Sequence, residues 1–275
     1  CGGNDFVKEE GFFVCQNCGV KYSVAEAQKI LLEGKVDVTG SQIKIDDTEE
    51  LKNLYILAKR AKDSYDCQNA VNYYNQILLK RPNDWEVCFY QKFFSVADCG
   101  ARDVNFACQK IKDACYFVFS AWKESEMTEE QKNLACHEIT KYILKFSQNS
   151  FNKVMNEFSQ TSGNYKSSAW ENPYKLPDND KLQNTEYFIE QCRGISDLLY
   201  VWGDLIESKL TDNSCVKDAV ELWKYALNLA KMRNQTVSYL HSEYVDEGKE
   251  QLYEAKVQKY EMKHIFALIK NLFKK

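Results

Sequence analysis

Proline occurs at only three positions, Pro82, Pro173 and Pro177, in a chain of 275 residues. Proline removes an amide donor and clashes with the preceding turn, so it is excluded from helix interiors. The long stretches between these positions are therefore open to helices, and a β-sandwich or a disordered chain is disfavoured. The apolar spacing agrees. Leu54, Leu57, Ala58 and Ala61 recur at helical intervals, as do Ala70, Tyr73, Tyr74 and Ile77 before Pro82. A third helix is predicted from Asn83 or Asp84 with Trp85, Cys88, Phe89 and Phe93 on it, and a fourth over about 103–122. Thr128-Glu129-Glu130-Gln131 reads as a capping box opening a long helix to about residue 160. Residues 163–182 hold two of the prolines and read as a long loop, functional or at a subdomain border. Helical patterning returns over about 183–210, 215–232 and 236–273. The expected class is mainly α: a helical-repeat-like or bundle body.

Glycine marks off a different leader. Six of the eleven glycines lie in the first 40 residues, punctuating short β-like runs such as Phe12-Phe13-Val14 and Val20-Lys21-Tyr22. Ser23-Val24-Ala25-Glu26 reads as a capping box for a short helix ending near Gly34, and residues 35–45 read as extended. Within this leader, Cys15-Gln16-Asn17-Cys18-Gly19 places two thiols where a tight turn can close them on one tetrahedral metal ion. Cys1-Gly2-Gly3 looks like the end of a matching knuckle whose first cysteine would precede residue 1, with room for one short hairpin between. A redox pair would also fit Cys-x-x-Cys, but it belongs where a strand meets a helix, not between two short strands. A chain that binds no metal in this form stays open as well.

Here the sequence resembles a known family. Gly11-Phe12-Phe13-Val14-Cys15-Gln16-Asn17-Cys18-Gly19-Val20-Lys21-Tyr22-Ser23 is similar to the second knuckle and adjoining strands of the zinc ribbon of transcription factor IIB type. Residues 1–45 are similar to the leader of bacterial zinc-ribbon proteins with a helical-repeat body and no assigned role. The resemblance implies a structural zinc ion with Cys1, Cys15 and Cys18 as ligands and a fourth ligand upstream. The division expected is a zinc ribbon with a short helix over 1–40, tetratricopeptide-like hairpins over 46–122, and a further helical region over 126–275.

Residues 51–84 fit one tetratricopeptide-like unit. Such a unit pairs two helices over about 34 residues, with small residues at the crossing and a proline at the end. Ala58, Ala61, Ala70 and Pro82 take those places. One such pair cannot bury its own face, so more helices must stack on it, and 83–122 offers a second, degenerate pair. No 34-residue register continues beyond 125, although Ala219, Trp223, Ala226 and Ala230 have the same small-and-aromatic spacing.

Catalytic signatures are lacking. The three histidines, His137, His241 and His264, form no metal-binding pair on a helix. Cys136 and His137 are adjacent, so on a helix they point about 100° apart, poor geometry for a nucleophile and its base. Only a long-range Cys–His pair would rescue that chemistry. Cys108 and Cys115 share a helix face and read as small core residues, with Cys88, Cys99, Cys192 and Cys215 read alike. No phosphate-binding glycine loop or Gly-x-Ser-x-Gly elbow occurs. Glu124, Glu126, Glu129 and Glu130 read as helix-start charge, and Asp178, Asn179 and Asp180 as turn residues.

Net charge is -4, and residues 1–40 are acidic on balance, which argues against a nucleic-acid partner. Residues 249–275 reverse this with seven lysines against three glutamates. Lys259, Lys263, Lys270 and Lys274 share one side of that helix, opposite Ile265, Leu268, Ile269, Leu272 and Phe273. A terminal helix with solvated lysines is expected, with an acidic partner or membrane surface as the sharper alternative. No apolar run reaches the ~20 residues of a membrane span. A lipoprotein would also begin at cysteine, but would follow it with a polar tether. Eleven cysteines, an odd and scattered set, point to reduced thiols and a bacterial cytoplasm. The expected role is a non-enzymatic zinc-binding scaffold for a protein or peptide partner. The rivals are a nucleic-acid-associated factor acting through the ribbon, or an enzyme with its site among the helices.

Overall fold

The computed structural model describes residues 6–9, 12–15, 20–23, 47–162, 179–210, 212–238 and 245–272, with side chains over 7, 12–15, 20–23, 49–161, 182–210, 212–238 and 245–261. The chain divides into two units, Cys1–Lys52 and Asn53–Lys275. In the first, β1 (Phe6–Glu9), β2 (Phe12–Cys15) and β3 (Lys21–Tyr22) form an antiparallel sheet in that order. Phe6 faces Cys15, and Phe13 faces Tyr22. The short hairpin expected between Cys1 and Cys15 is therefore present as β1–β2. The short helix expected to end near Gly34 and the extended segment expected over 35–45 lie outside the described residues.

Eight helices follow among the described residues: α1 (Asp47–Ser64), α2 (Cys67–Lys80), α3 (Trp85–Ala97), α4 (Val104–Glu124), α5 (Glu129–Ser162), α6 (Asn179–Lys209), α7 (Asn213–Ser238) and α8 (Glu247–Leu272). The protein is mainly α with a small N-terminal sheet. Local chemistry sets many of the ends. Asp84 caps α3 by accepting from the amides of Glu86 and Val87. Thr128 Oγ1 accepts from the Gln131 amide at 3.2 Å and Gln131 Oε1 from the Thr128 amide at 2.9 Å, so the capping box forms as expected. α1 ends in a Schellman turn, with the Asp66 amide on the Ala61 carbonyl and the Tyr65 amide on that of Lys62. Tyr65 occupies the left-handed position, φ 59°, where glycine is usual. Its ring packs against Phe93, Phe94 and Tyr142, which offsets that strain. Of the loop expected over 163–182, residues 179–182 instead begin α6, and the rest lies outside the described residues.

The helices alternate between two rows. The odd helices touch one another: Tyr55 of α1 bonds Asp84 beside α3, Phe93 of α3 meets Tyr142 and Phe146 of α5 edge-on, and His137 of α5 bonds Asp218 of α7. Among the even helices, Phe119 of α4 meets Trp202 of α6, and Tyr200 of α6 meets Tyr253 of α8. Between the rows lies an apolar core of Val87, Ile111, Val118, Ile139, Leu198, Trp202 and Trp223, all fully buried. The hairpin pairing thus continues past residue 125, where no repeat length is readable. α5 and α6 have 34 and 31 residues, against 18 and 14 for α1 and α2, so the period stretches while the alternation persists. Leu57, placed on the inner stripe of α1 by spacing, instead lies on its exposed side at 37% accessibility.

The terminal helix is held by charge as well as by packing. Glu207 of α6 receives Lys256 at 2.5 Å, Lys259 at 2.6 Å and the Tyr260 hydroxyl at 2.5 Å. Lys259 is therefore an ion-pair partner of α6, not a merely solvated lysine; the side chains of Lys263, Lys270 and Lys274 lie outside the described set. Burial raises the Glu207 pKa, but the three hydrogen bonds outweigh it and bring it to about 2. A depressed acid stabilises the fold above its unfolded value of about 4.3, and that contribution disappears as pH falls through the folded value. The expected result is a loss of stability between about pH 4.5 and pH 2 that Glu207→Gln flattens, read from urea midpoints across that range.

Candidate functional site

Two polar clusters lie along the odd row. In the first, the Lys62 ammonium is buried at 3% exposure, with Glu138 at 2.7 Å, Glu86 at 3.4 Å and the Tyr90 ring 4.2 Å beneath it. A buried ammonium needs this many partners to offset its lost hydration. Burial raises the Glu86 carboxyl above its usual range, with Glu138 adding to the effect and Lys62 opposing it. The Tyr142 hydroxyl donates to the Lys62 carbonyl at 3.2 Å, fastening α5 to α1. This cluster locks three helices together and leaves its two carboxylates nearly half exposed, at 42% and 45%.

The second cluster joins α5 to the start of α7. On α5, Asn133, Cys136, His137 and Thr140 share one face by helical spacing, and on α7 Ser214, Cys215 and Asp218 do the same. His137 Nδ1 lies 2.5 Å from Asp218 Oδ2, and its Nε2 lies 3.1 Å from Ser214 Oγ and 4.0 Å from Cys215 Sγ. Interaction with the Cys136 thiol holds the Cys215 thiol below its usual value against the opposing effect of burial, and His137 acts in the same direction. The same interaction, with burial added, pushes Cys136 well up. Cys215 also lies 3.5 Å from Asn133 Oδ1.

The order Asp218–His137–Ser214 matches the atoms of an acyl-transfer triad. The protons do not. The Ser214 hydroxyl donates to Asp212 Oδ1, which also accepts the Ser214 amide at 2.7 Å and the Cys215 amide. The Ser214 hydroxyl and then its amide lower the Asp212 carboxyl below its usual range. The serine proton and the helix-start amides that would stabilise an oxyanion are thus committed to a capping carboxylate. What the cluster presents for chemistry is the Cys215 thiol beside an imidazole.

Of the ligands expected for zinc, Cys15 ends β2 as a buried residue, and its amide donates to the Val20 carbonyl at 3.0 Å. Cys1 and Cys18 lie outside the described residues, and no group of three His, Cys, Asp or Glu side chains arranged to hold a metal occurs among the described ones. Cys108, Cys115 and Cys192 are fully buried, as expected of core thiols, and burial pushes each well above its usual pKa. Cys88 and Cys99 differ in being only half-buried, and Cys215 differs in facing His137 and Cys136. The 100° divergence of Cys136 and His137 holds, since Cys136 turns into the core and His137 keeps 31% of its side chain exposed. Its thiol neighbour across the helices comes from 78 positions away, a pairing only packing reveals.

No family model matches the chain, and no curated protein matches it. Among solved structures, the crystal structure of MamA protein is similar over 70% of this chain and 97% of its own, at 15% identity and a TM-score of 0.20, too slight a likeness to carry an argument. No helix among the described residues is long and apolar enough to cross a membrane.

Proposed function

We propose that the chain is a non-enzymatic scaffold whose odd helices present the surface for a protein or peptide partner, with a structural zinc ion held by Cys1, Cys15, Cys18 and an upstream ligand. The observation that carries this reading is the alternation of helices in two rows, in which α1, α3, α5 and α7 run side by side. Stacked hairpins present long surfaces of this kind, built from equivalent helices. Along this row, Glu86 and Glu138 combine fixed positions with exposure, because Lys62 anchors both. Fixed, exposed charges suit recognition, since little side-chain freedom remains to be lost on binding. Zinc would do no chemistry here: a closed thiolate shell holds the ribbon in shape. The reduced thiols and the lack of a membrane-crossing helix among the described residues fit a cytoplasmic scaffold.

The test is affinity capture with the chain carrying its upstream cysteine, followed by crosslinking and mapping of the linked residues. Crosslinks concentrated on α1, α3, α5 and α7 are the expected result. A captured polypeptide whose crosslinks fall on the even helices, or no retained polypeptide at all, overturns the reading. Metal analysis of the same sample should give about one zinc per chain.

A further inference from the structure

We infer that residues 262–275, which begin in the outer part of α8, dock on an anionic lipid surface as an interfacial helix. The register of α8 against its neighbours carries this. Lys249 reaches Asp197 of α6 at 2.6 Å, Lys256 reaches Asp204 and Glu207 at 2.5 Å, and Lys259 reaches Glu207 at 2.6 Å. The pairs advance in step along both helices, so α8 runs parallel to α6. The α6 position in step with 263 would be 211, but α6 ends at Lys209. α8 continues to Leu272 and so outruns the acidic row that receives its first lysines.

Composition changes at the same place. The three glutamates of residues 249–275, Glu250, Glu254 and Glu261, all precede residue 262. Glu254 and Glu261 pair with Lys231 and Lys224 of α7, at 3.7 and 2.8 Å. Residues 262–275 hold Lys263, Lys270, Lys274 and Lys275 and no acid. The outward face changes too. Gln251, Ala255 and Gln258 form an exposed line at steps of four and three. Continued at those steps, the line reads Met262, Ile265, Ile269 and Leu272. The lysine line, 249, 256, 263 and 270, lies about 140° round the helix from it.

Charge and length choose the occupant. Lysines without acids on one side and an apolar line on the other are the pattern of a helix lying in a headgroup layer. Its apolar side enters the acyl boundary, and its ammonium groups sit among anionic phosphates. An acidic polypeptide answers the lysines, whereas an anionic bilayer answers both lines at once. The helix over 262–272 is about 16 Å long, roughly half the hydrocarbon core, so it lies on the bilayer and does not cross it. Residues 262–275 carry +4 while the whole chain carries -4. The remainder is therefore repelled by an anionic surface, which confines the contact to this end.

The experiment floats the full chain through a density gradient with vesicles of phosphatidylcholine containing about one third phosphatidylglycerol, and with vesicles of phosphatidylcholine alone. The chain should rise with the anionic vesicles, stay behind with the neutral ones, and fall away as sodium chloride screens the contact. Lys263→Gln and Lys270→Gln should each weaken binding about fivefold, and Ile269→Ser about tenfold. Lys249→Gln should leave binding unchanged, because that ammonium is already held by Asp197. A wild-type chain that stays behind at low salt overturns the inference, and needs no variant to do so. Retention of polyglutamate in place of vesicles overturns it too, assigning the lysines to an acidic polypeptide. Equal losses for Lys249→Gln and Lys263→Gln would make overall charge, not this end, the cause. Binding that tolerates Ile269→Ser would be adsorption by charge alone, and either result sinks the interfacial helix.

Discussion

Replacing Trp202 with alanine should cost about 3–5 kcal/mol of stability, the range for truncating a large buried aromatic. Trp202 is fully buried on α6, with the ring of Phe119 from α4 at 5.3 Å. Its indole N–H donates to Thr140 Oγ1 on α5 at 2.9 Å, itself a buried group. Three helices from two consecutive hairpins therefore meet on one side chain. Truncation removes the apolar contacts, leaves a cavity that helices held elsewhere cannot close, and strips the Thr140 hydroxyl of its donor. Since a folded domain keeps only about 5–15 kcal/mol in hand, this single change takes a large share. Trp202→Phe retains most of the ring and loses the hydrogen bond, so it should cost about 1–3 kcal/mol, the penalty for a buried polar group left unmet. Urea midpoints followed by helical circular dichroism measure both. Equal costs for the two variants would show that the hydrogen bond, not the volume, is what matters.

Such a residue cannot be singled out from the sequence, whereas much of its setting can. Pro82 and the Thr128–Gln131 box mark helix boundaries because their effects are local: a missing donor, a reciprocal pair of hydrogen bonds. Ala58, Ala70, Ala219, Ala226 and Ala230 read as crossing points, and all are fully buried. Fold class follows from these short-range rules. The continuation of the pairing does not, because a repeat is legible only while its length is constant, and α5 and α6 are about twice as long as α1 and α2. Leu57 shows another limit: at 100° per residue it borders the stripe led by Leu54 and Ala58, and only the neighbours decide on which side a border residue falls.

The second cluster was hidden for a different reason. Cys136 and His137 diverge as nearest neighbours, yet His137 gains partners, Ser214 and Asp218, from the start of α7. Asp212, Ser214, Cys215 and Asp218 look like an ordinary capped helix start, and that is one of the things they are. The double duty arises because α5 lays a histidine across that start. Its visible trace was the face formed by Asn133, Cys136, His137 and Thr140, polar and thiol residues at the spacing of a core stripe. The Cys15–Cys18 spacing is legible by contrast, because a cysteine knuckle is a local motif. Even so, local spacing speaks to what one turn can hold and not to what completes the shell.

Gly194→Ala should destabilise the protein, although the usual rule for a glycine inside a helix says otherwise. Gly194 sits in the interior of α6, where alanine is favoured by about 1 kcal/mol on helix propensity. A Cβ there, however, would lie 2.5 Å from Asn105 Oδ1, 3.0 Å from Asn105 Cα and 3.2 Å from its Cβ. The side-chain oxygen could swing away if it were loose, but Asn105 is pinned. Its Nδ2 donates to Glu190 at 2.9 Å and its amide to Gln191 Oε1 at 2.7 Å. The backbone atom belongs to the first turn of α4, so relief requires moving one helix against the other. Overpacking of that kind costs about 1–3 kcal/mol, which exceeds the propensity gain. Gly194→Val adds two methyl groups in the same direction and should exceed the alanine variant. A companion Asn105→Gly change should recover only part of the alanine loss, since it removes the pinned side chain but leaves the Asn105 Cα, 3.0 Å away, in place. Urea unfolding of the three variants decides the matter. A stabilised Gly194→Ala would mean that α4 and α6 do not approach this closely in solution.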